Sequence, residues 1–398
     1  MDKKTIDNIA WYIPFKKLRN SIRELLLYFY NKLELDNYPN YKYIAFERDK
    51  NFENKLNTII HLSKFINYKR KYNGDGIEVI PNYNNNILYY SDFGNIENKI
   101  QELYDINKIY ETFNLFNDEY SKDIYLMQII NYSFFEEIGK GIMLPLYYSH
   151  IWNSYYDMDD FIKEEISIDG KKLFFCDLSN INIPISLHVP YKYIYFANFI
   201  IEQYRYKNKV TIKKGDYVID GGGYVGDTAL YFANLVGNQG RVYSFEFIDD
   251  NLDIFYKNME LNKHLKDIIH IIKNPLYSKS NEELMINISG SASRIDKSNN
   301  NNASKFLSIS IDDFVFNNKI EKIDFIKMDI EGAELEALKG AEKTILQFRP
   351  KLAISIYHSF NDYYEIPLLL SKMLNNYEFY FDHFKVGRGE SILFCKPI

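Results

Sequence analysis

The stretch Asp220-Gly221-Gly222-Gly223-Tyr224-Val225-Gly226-Asp227-Thr228 decides the reading of this chain. It follows an apolar run, Tyr217 to Asp220, that reads as a β-strand. It precedes a helix predicted from Asp227 to about Asn234. Glycines at such a junction let the backbone turn sharply and let a ligand come close to it. The helix that follows offers its unpaired N–H groups to the same ligand. Gly221, Gly223 and Gly226 satisfy the pattern GxGxxG, which fits a nicotinamide dinucleotide site almost as well as an S-adenosylmethionine site.

Two carboxylates separate these readings. Asp220 stands directly before the glycines, where it would repel a pyrophosphate and attract the cationic end of a sulfonium cofactor. Glu246 ends a second predicted strand, Arg241 to Phe245, where a carboxylate can accept the hydroxyls of a ribose. Ribose is common to both cofactors, so Asp220 carries the choice. The expected cofactor is S-adenosylmethionine, with Asp220, Gly221, Gly222, Gly226, Asp227, Thr228, Glu246 and Phe247 as its contacts.

Outward from this loop the chain alternates strand and helix. Further strands are predicted at Ile268–Ile272, Asp324–Met328 and Leu352–Tyr357, with helices at Asn251–Asn262, Glu334–Gln347 and near Pro367–Leu374. Tyr377–Asp382 and Ser391–Cys395 read as a closing hairpin. Alternation of this kind gives an α/β, Rossmann-like sheet with helices on both faces. Before residue 205 helical spacing dominates: Leu18, Ile22, Leu25, Leu26, Phe29 and Leu33, then Leu56, Ile59, Ile60, Leu62 and Ile66, then a helix from Glu119 to Glu137. Short strands are expected at Gly76–Ile80 and Lys172–Cys176, a loop around Pro184 and Pro190, and a helix over Tyr195–Tyr206. The predicted division is a mainly helical domain over 1–205 and the α/β domain over 206–398.

Composition narrows the partners. The 398 residues are 46 % hydrophobic and 26 % charged, ordinary for a chain with a sizeable core. A net charge of −6 argues against a phosphate-backbone partner. The short basic run Lys69-Arg70-Lys71 reads as a solvated helix end. Two distant cysteines, Cys176 and Cys395, make neither a zinc motif nor a disulfide framework, so a reducing compartment fits. With no signal-peptide pattern and no apolar run long enough to span a bilayer, the expectation is a cytoplasmic protein.

Six segments together resemble the FkbM family of methyltransferases. They are VIDGGGYVGDTALYFA (218–233), VYSFEF (242–247), SIDDF (310–314), IDFIKMDIEGAELEALKGAE (323–342), PKLAISIYH (350–358) and ESILF (390–394). The resemblance covers about residues 210–397, and DIEGAE followed by ALKGA is its most specific part. It implies a class I methyltransferase fold, a seven-stranded sheet whose last strand is antiparallel. It also implies O-methylation, often of a sugar or polyketide hydroxyl. The chain departs from common methyltransferase patterns at Tyr224, where many carry a third glycine, and at Phe247, where many carry proline. Upstream, only Asp118-Glu119-Tyr120-Ser121 is similar to a helix of longer members.

In such a sheet ligands sit beyond the carboxyl ends of the parallel strands. That edge collects Asp329, Glu331 and Glu334 after the fourth strand, His358 after the fifth, His383 after the sixth, and Glu390 before the last. Methyl transfer to a hydroxyl needs a proton acceptor. His358 is the expected base, Asp329 its orienting partner and His383 the alternative base. The same residue types can hold Mg²⁺ or Mn²⁺, but no motif of fixed spacing appears, and no metal is assigned. Glu334 and Glu336 can equally serve the dipole of the helix they open. The acceptor is expected to be a small molecule or glycan, and the N-terminal half is assigned to shaping its site or to assembly, which leaves a homo-oligomer open. A non-catalytic cofactor-binding module and a nicotinamide-dependent oxidoreductase are the competing readings.

Overall fold

The computed structural model describes residues 68–73, 76–81, 105–138, 162–168, 170–288, 294–295, 303–385 and 388–398. In chain order the elements are β1 (Tyr68–Asn73), β2 (Gly76–Pro81), α1 (Ile106–Leu115), α2 (Glu119–Ile138), β3 (Ile162–Ile168), β4 (Lys171–Asp177) and β5 (Ser186–Val189). The α/β part follows as β6 (Tyr217–Gly221), α3 (Asp227–Val236), β7 (Arg241–Phe245), α4 (Asp249–Leu261) and β8 (Ile269–Ile272). Next come β9 (Glu283–Asn287), β10 (Arg294–Ile295), β11 (Ser304–Leu307), α5 (Ile311–Asn317), β12 (Phe325–Met328), α6 (Glu334–Lys339) and α7 (Glu342–Phe348). The chain closes with β13 (Lys351–Ser355), α8 (Asp362–Met373), β14 (Tyr377–His383) and β15 (Ser391–Pro397).

Seven strands form one sheet in the order β14-β15-β13-β12-β6-β7-β8. All run parallel except β15, which is antiparallel to both its neighbours. This is the expected class I methyltransferase sheet. The β12 run Phe-Ile-Lys-Met is buried throughout, as a central strand covered on both faces must be. The chain leaves β6 toward β7 and β8, then returns to the other side of β6 at β12, so a switch point opens between β6 and β12. Register sets what emerges there. Gly221 pairs with both Met328 and Phe245, so Gly222, Asp329 and Glu246 leave the sheet side by side. Ser355 pairs with Ile392, which brings the approach to His358 and the residue Glu390 to the same edge.

Chain contacts divide the molecule into two units. One comprises Asp105–Lys122, Lys163–Phe384 and Gly389–Ile398, and so takes in more than residues 206–398. Within it Phe116 bridges to Phe379, Asn117 Oδ1 accepts the Phe379 N–H at 2.6 Å, and Ser121 Oγ accepts the Phe381 N–H at 3.0 Å. The free edge of β14 is thereby covered, which protects an edge strand from stray pairing. The edge of the small sheet β3-β4-β5 is treated similarly. Asn258 on α4 and Asn262 at its C-terminal cap each exchange a pair of hydrogen bonds with the backbone, of His188 and Ser186 respectively. The other unit comprises Met1–Tyr104, Asp123–Ile162 and Lys385–Arg388; it holds the β1–β2 hairpin.

Several expectations change. The predicted helices over 18–33 and 56–66 lie outside the described residues. Lys69-Arg70-Lys71 belongs to strand β1, not to a helix end. The stretch around Pro184 and Pro190 contains strand β5. The helix expected over 195–206 covers only Tyr193–Ile200, its second part a π-turn; Glu202 then takes a left-handed φ of 56° and Tyr206 bridges to Val210. The long helix after β12 is two, broken at Gly340, where an added Cβ would lie 2.3 Å from the Tyr277 carbonyl. Among the described residues, no helix is long and apolar enough to cross a membrane.

Candidate active site

Asp220 departs from the electrostatic part it was expected to play. It is 0 % exposed and lies opposite Lys327 in register, with Lys327 Nζ 3.1 Å from its carboxylate. Thr228 donates its hydroxyl to both Asp220 oxygens, at 3.0 and 2.9 Å, and Ser244 donates at 2.8 Å. Lys327 also donates to the Gly221 and Gly222 carbonyls, at 2.9 and 2.7 Å. The pair is therefore saturated and clamps the glycine turn from behind. Its charge is spent inside the protein. Removing one partner of such a buried pair costs about 3–5 kcal/mol. A lysine in the otherwise apolar Phe-Ile-Lys-Met run is the sequence signal for this arrangement, since a buried ammonium requires a buried partner.

The glycines serve close packing. Gly222 has φ 84°, and a Cβ there would lie 1.9 Å from the Asp329 carbonyl oxygen. Gly226 also has φ 84°, and its Cβ would enter the Phe255 ring at 2.3 Å. Tyr224 holds a left-handed φ of 44° between them, so the turn keeps its shape with a side chain in place of the third glycine.

An open cavity lies along this turn, and Gly222, Tyr224, Asp227, Glu246, Phe247 and Asp329 are among its walls. Thr228 also lines it, through a side chain already committed to Asp220. Gly221 sits at the strand end with its carbonyl on Lys327. Asp227 holds the uncommitted charge. Asn198 donates to its Oδ2 at 2.6 Å, while the buried Oδ1 accepts no hydrogen bond. Burial drives the Asp227 carboxyl up to about 7, against a lowering by Lys327. Glu246 Oε1 accepts the N–H groups of Phe247 and Ile248 at 2.7 and 2.8 Å, and Asn251 reaches Oε2 at 3.3 Å. Burial raises the Glu246 carboxyl, and those hydrogen bonds oppose it. Phe247 meets Phe306 edge-on at 4.8 Å.

At the far wall Asp329 accepts the Tyr204 hydroxyl at 2.9 Å and the Tyr357 hydroxyl at 3.2 Å. Burial pushes Asp329 up, but His358, Lys327 and Tyr204 outweigh it and hold the carboxyl well below the usual range. His358 Nε2 lies 3.3 Å from Asp329 Oδ1 and 3.6 Å from Glu331 Oε2; its Nδ1 lies 3.1 Å from Glu334 Oε1. Burial would lower the imidazole, but Glu334 and Asp329 raise it well above its ordinary value. The carboxylates of Asp329, Glu331 and Glu334 thus surround the imidazole expected to act as the base. Glu334 accepts the N–H groups of Ile330 and Gly332 at 2.7 and 3.0 Å, closing the turn ahead of α6. Glu390 lines the cavity in a left-handed conformation, φ 62°. His383 does not reach the cavity wall. It is buried between β14 and β15, with Nδ1 2.7 Å from Ser391 Oγ, which also meets the Tyr363 hydroxyl at 2.8 Å. Sequence reading missed Lys327, Asn198, Tyr204 and Tyr357; Tyr204 carries no motif, and only the fold aims it and Tyr357 at Asp329.

Residues 220–383 match the family model of the methyltransferase FkbM domain. That match spans 164 of the 398 residues, and over it the chain is similar to FkbM methyltransferases. No curated protein matches the chain. Among solved structures, a methyltransferase FkbM from Methylobacillus flagellatus is similar at 17 % identity and a TM-score of 0.46, over 78 % of this chain and 63 % of that one. The chain thus spans less than two thirds of that structure's length. Aeropyrum pernix fibrillarin, with S-adenosylmethionine bound, is similar at 12 % identity and TM-score 0.33, over 58 % of this chain and 81 % of that one. An S-adenosylmethionine-dependent O-methyltransferase from Thermotoga maritima is similar at 12 % identity and TM-score 0.31, over 60 % and 78 %.

Proposed function

We propose that this protein transfers the methyl group of S-adenosylmethionine to a hydroxyl of a sugar or other glycan-like acceptor. The observation that carries the donor half is Asp227 Oδ1, a buried carboxylate oxygen without a hydrogen bond on the cavity wall. It matches the ammonium of the cofactor's amino-acid end, and a charge-assisted hydrogen bond there would hold Asp227 ionised. Glu246 spends Oε1 on the backbone, which leaves Oε2 for the ribose hydroxyls. Phe247 offers its ring to the adenine, and Gly222 lets the chain pass close to the methionine part. Asp220 acts one step back, through Thr228 and Lys327.

The acceptor half rests on the character of the cavity lining. Tyr193, Tyr204, Tyr224 and Tyr357 line it together with Glu331 and Glu390. Rings with hydroxyl edges suit a molecule that has apolar faces and many hydroxyls. The carboxylates disfavour a phosphate at the reacting position. In the reaction an acceptor oxygen attacks the methyl carbon opposite the sulfur. The C–O bond forms, the C–S electron pair returns to sulfur, and S-adenosylhomocysteine leaves. The hydroxyl proton passes to a carboxylate of this edge and on to solvent. Positioning supplies most of the acceleration.

Labelled methyl transfer from S-adenosylmethionine to a panel of glycans and nucleotide sugars, with mass spectrometry of the product, tests this reading. The expected product is a methyl ether on a hydroxyl. Methylation confined to nitrogen or carbon would sink the O-methyl assignment, and binding of NADH in place of S-adenosylmethionine would sink the donor as well.

A further inference from the structure

We infer that Asp329, Glu331 and His358 form a divalent-cation site at the acceptor end of the cavity, with Asp329 Oδ1, Glu331 Oε2 and His358 Nε2 as ligands. The role of this site rests on the O-methyl reading above; its existence does not. The three ligand atoms lie within 4.8 Å of one another. Two ligands each about 2.1 Å from a metal, at right-angled to tetrahedral spacing, stand roughly 3.0–3.5 Å apart. The Nε2 distance of 3.3 Å to Asp329 falls within that spacing, and the 3.6 Å to Glu331 lies just beyond it.

The second observation is His358 itself. Its side chain is 4 % exposed, yet neither ring nitrogen completes a hydrogen bond. Both nitrogens face carboxylates at ion-pair distance without completing a hydrogen bond to them, an arrangement that leaves room for a cation among the three groups. The surroundings supply the outer support that a metal-bound histidine needs. Glu334 Oε1 stands 3.1 Å behind Nδ1, and Glu334 is itself fixed by two backbone N–H groups. Tyr204 holds Asp329 through Oδ2, which turns Oδ1 toward His358. Glu331 adopts a left-handed φ of 56° beside Gly332 at 97°, a strained turn that swings its carboxylate to the ring.

One imidazole with two carboxylates suits Mn²⁺ or a similar borderline ion better than Ca²⁺, which prefers oxygen alone. Bound here, the ion would take the acceptor hydroxyl as a further ligand and lower its pKa, the service a protein base would otherwise give. The proton so released goes to solvent through the open cavity. The sequence reading assigned no metal because Asp329-x-Glu331 and His358 lie on different strands, and no fixed-spacing motif joins them.

Titration of the chelator-treated full chain with Mn²⁺, followed by the loss of the free-ion electron paramagnetic resonance signal, tests the site. One saturable site is expected. His358→Ala and Asp329→Asn should abolish it, Glu331→Gln should weaken it at least tenfold, and Asp362→Asn should leave it unchanged. Glu331→Gln lies on a turn and keeps the test open should the buried variants fail to fold. Absent Mn²⁺ binding, or binding indifferent to His358→Ala and Glu331→Gln, would overturn the site. Calorimetry with S-adenosylmethionine on the same samples separates the two proposals, since a chain that binds the donor but no Mn²⁺ refutes only the cation site.

Discussion

Two buried charged clusters, around Asp220 and around His358, follow neighbouring strands of the sheet's centre and are built differently. Around Asp220 every oxygen is used: Thr228, Ser244 and Lys327 fill it, and Lys327 also holds the two glycine carbonyls. Around His358 three carboxylates gather and neither ring nitrogen completes a hydrogen bond. Asp227, between them on the cavity wall, has one oxygen satisfied and one not. Charge alone does not distinguish a supporting group from one that meets a ligand. Saturation does: a satisfied buried pair shapes the backbone, and an unsatisfied group marks where something else belongs.

The largest way to break this contrast is Lys327→Met. It leaves Asp220 buried and unpaired, and about 3–5 kcal/mol of stability should vanish in a urea unfolding curve. Adding Asp220→Asn should restore part of it; a loss under 1 kcal/mol would place the pair among dispensable contacts. Asp329→Asn should reduce methyl transfer per folded molecule by roughly 10²–10⁴, the range for losing a group that manages the acceptor proton. Donor affinity should move little, because Asp329 faces the acceptor side. Glu246→Gln removes a charge-assisted acceptor and should weaken donor binding by about 1.5–3 kcal/mol in calorimetry. His383→Ala is the smallest: methyl transfer per folded molecule should stay within about twofold of the parent, since Ser391 and not the cavity engages that ring. A large loss of turnover there would return His383 to the catalytic edge.

The sheet was legible because buried parallel strands write themselves as apolar runs: Arg241–Phe245 was read with its observed bounds, and β6 and β12 within one residue. The loop and Glu246 were legible because a glycine turn after a strand has few other uses. What failed depends on partners far along the chain. Lys327 neutralises Asp220 across 107 residues of sequence, and only register shows it. Glu334 reaches His358 from a distant part of the chain, so the carboxylate behind the imidazole was invisible. Local strength misled as well. Tyr195–Tyr206 reads as a helix, but the chain leaves helical geometry at Glu202 to place Tyr204 against Asp329.

Asp227 offers the most direct test of the central claim. Its carboxyl sits at about 7 in the free protein, above its ordinary value because of burial. Only the ionised form can hold an ammonium, so protons compete with the cofactor. Calorimetric affinity for S-adenosylmethionine should therefore be weaker at pH 6 than at pH 8, with protons released on binding at the lower pH and a plateau above about pH 8. In Asp227→Asn the affinity should be lower throughout and this slope should disappear. An unchanged affinity and an unchanged slope in Asp227→Asn would contradict the placement of the cofactor's amino group, and with it the reading of the cavity.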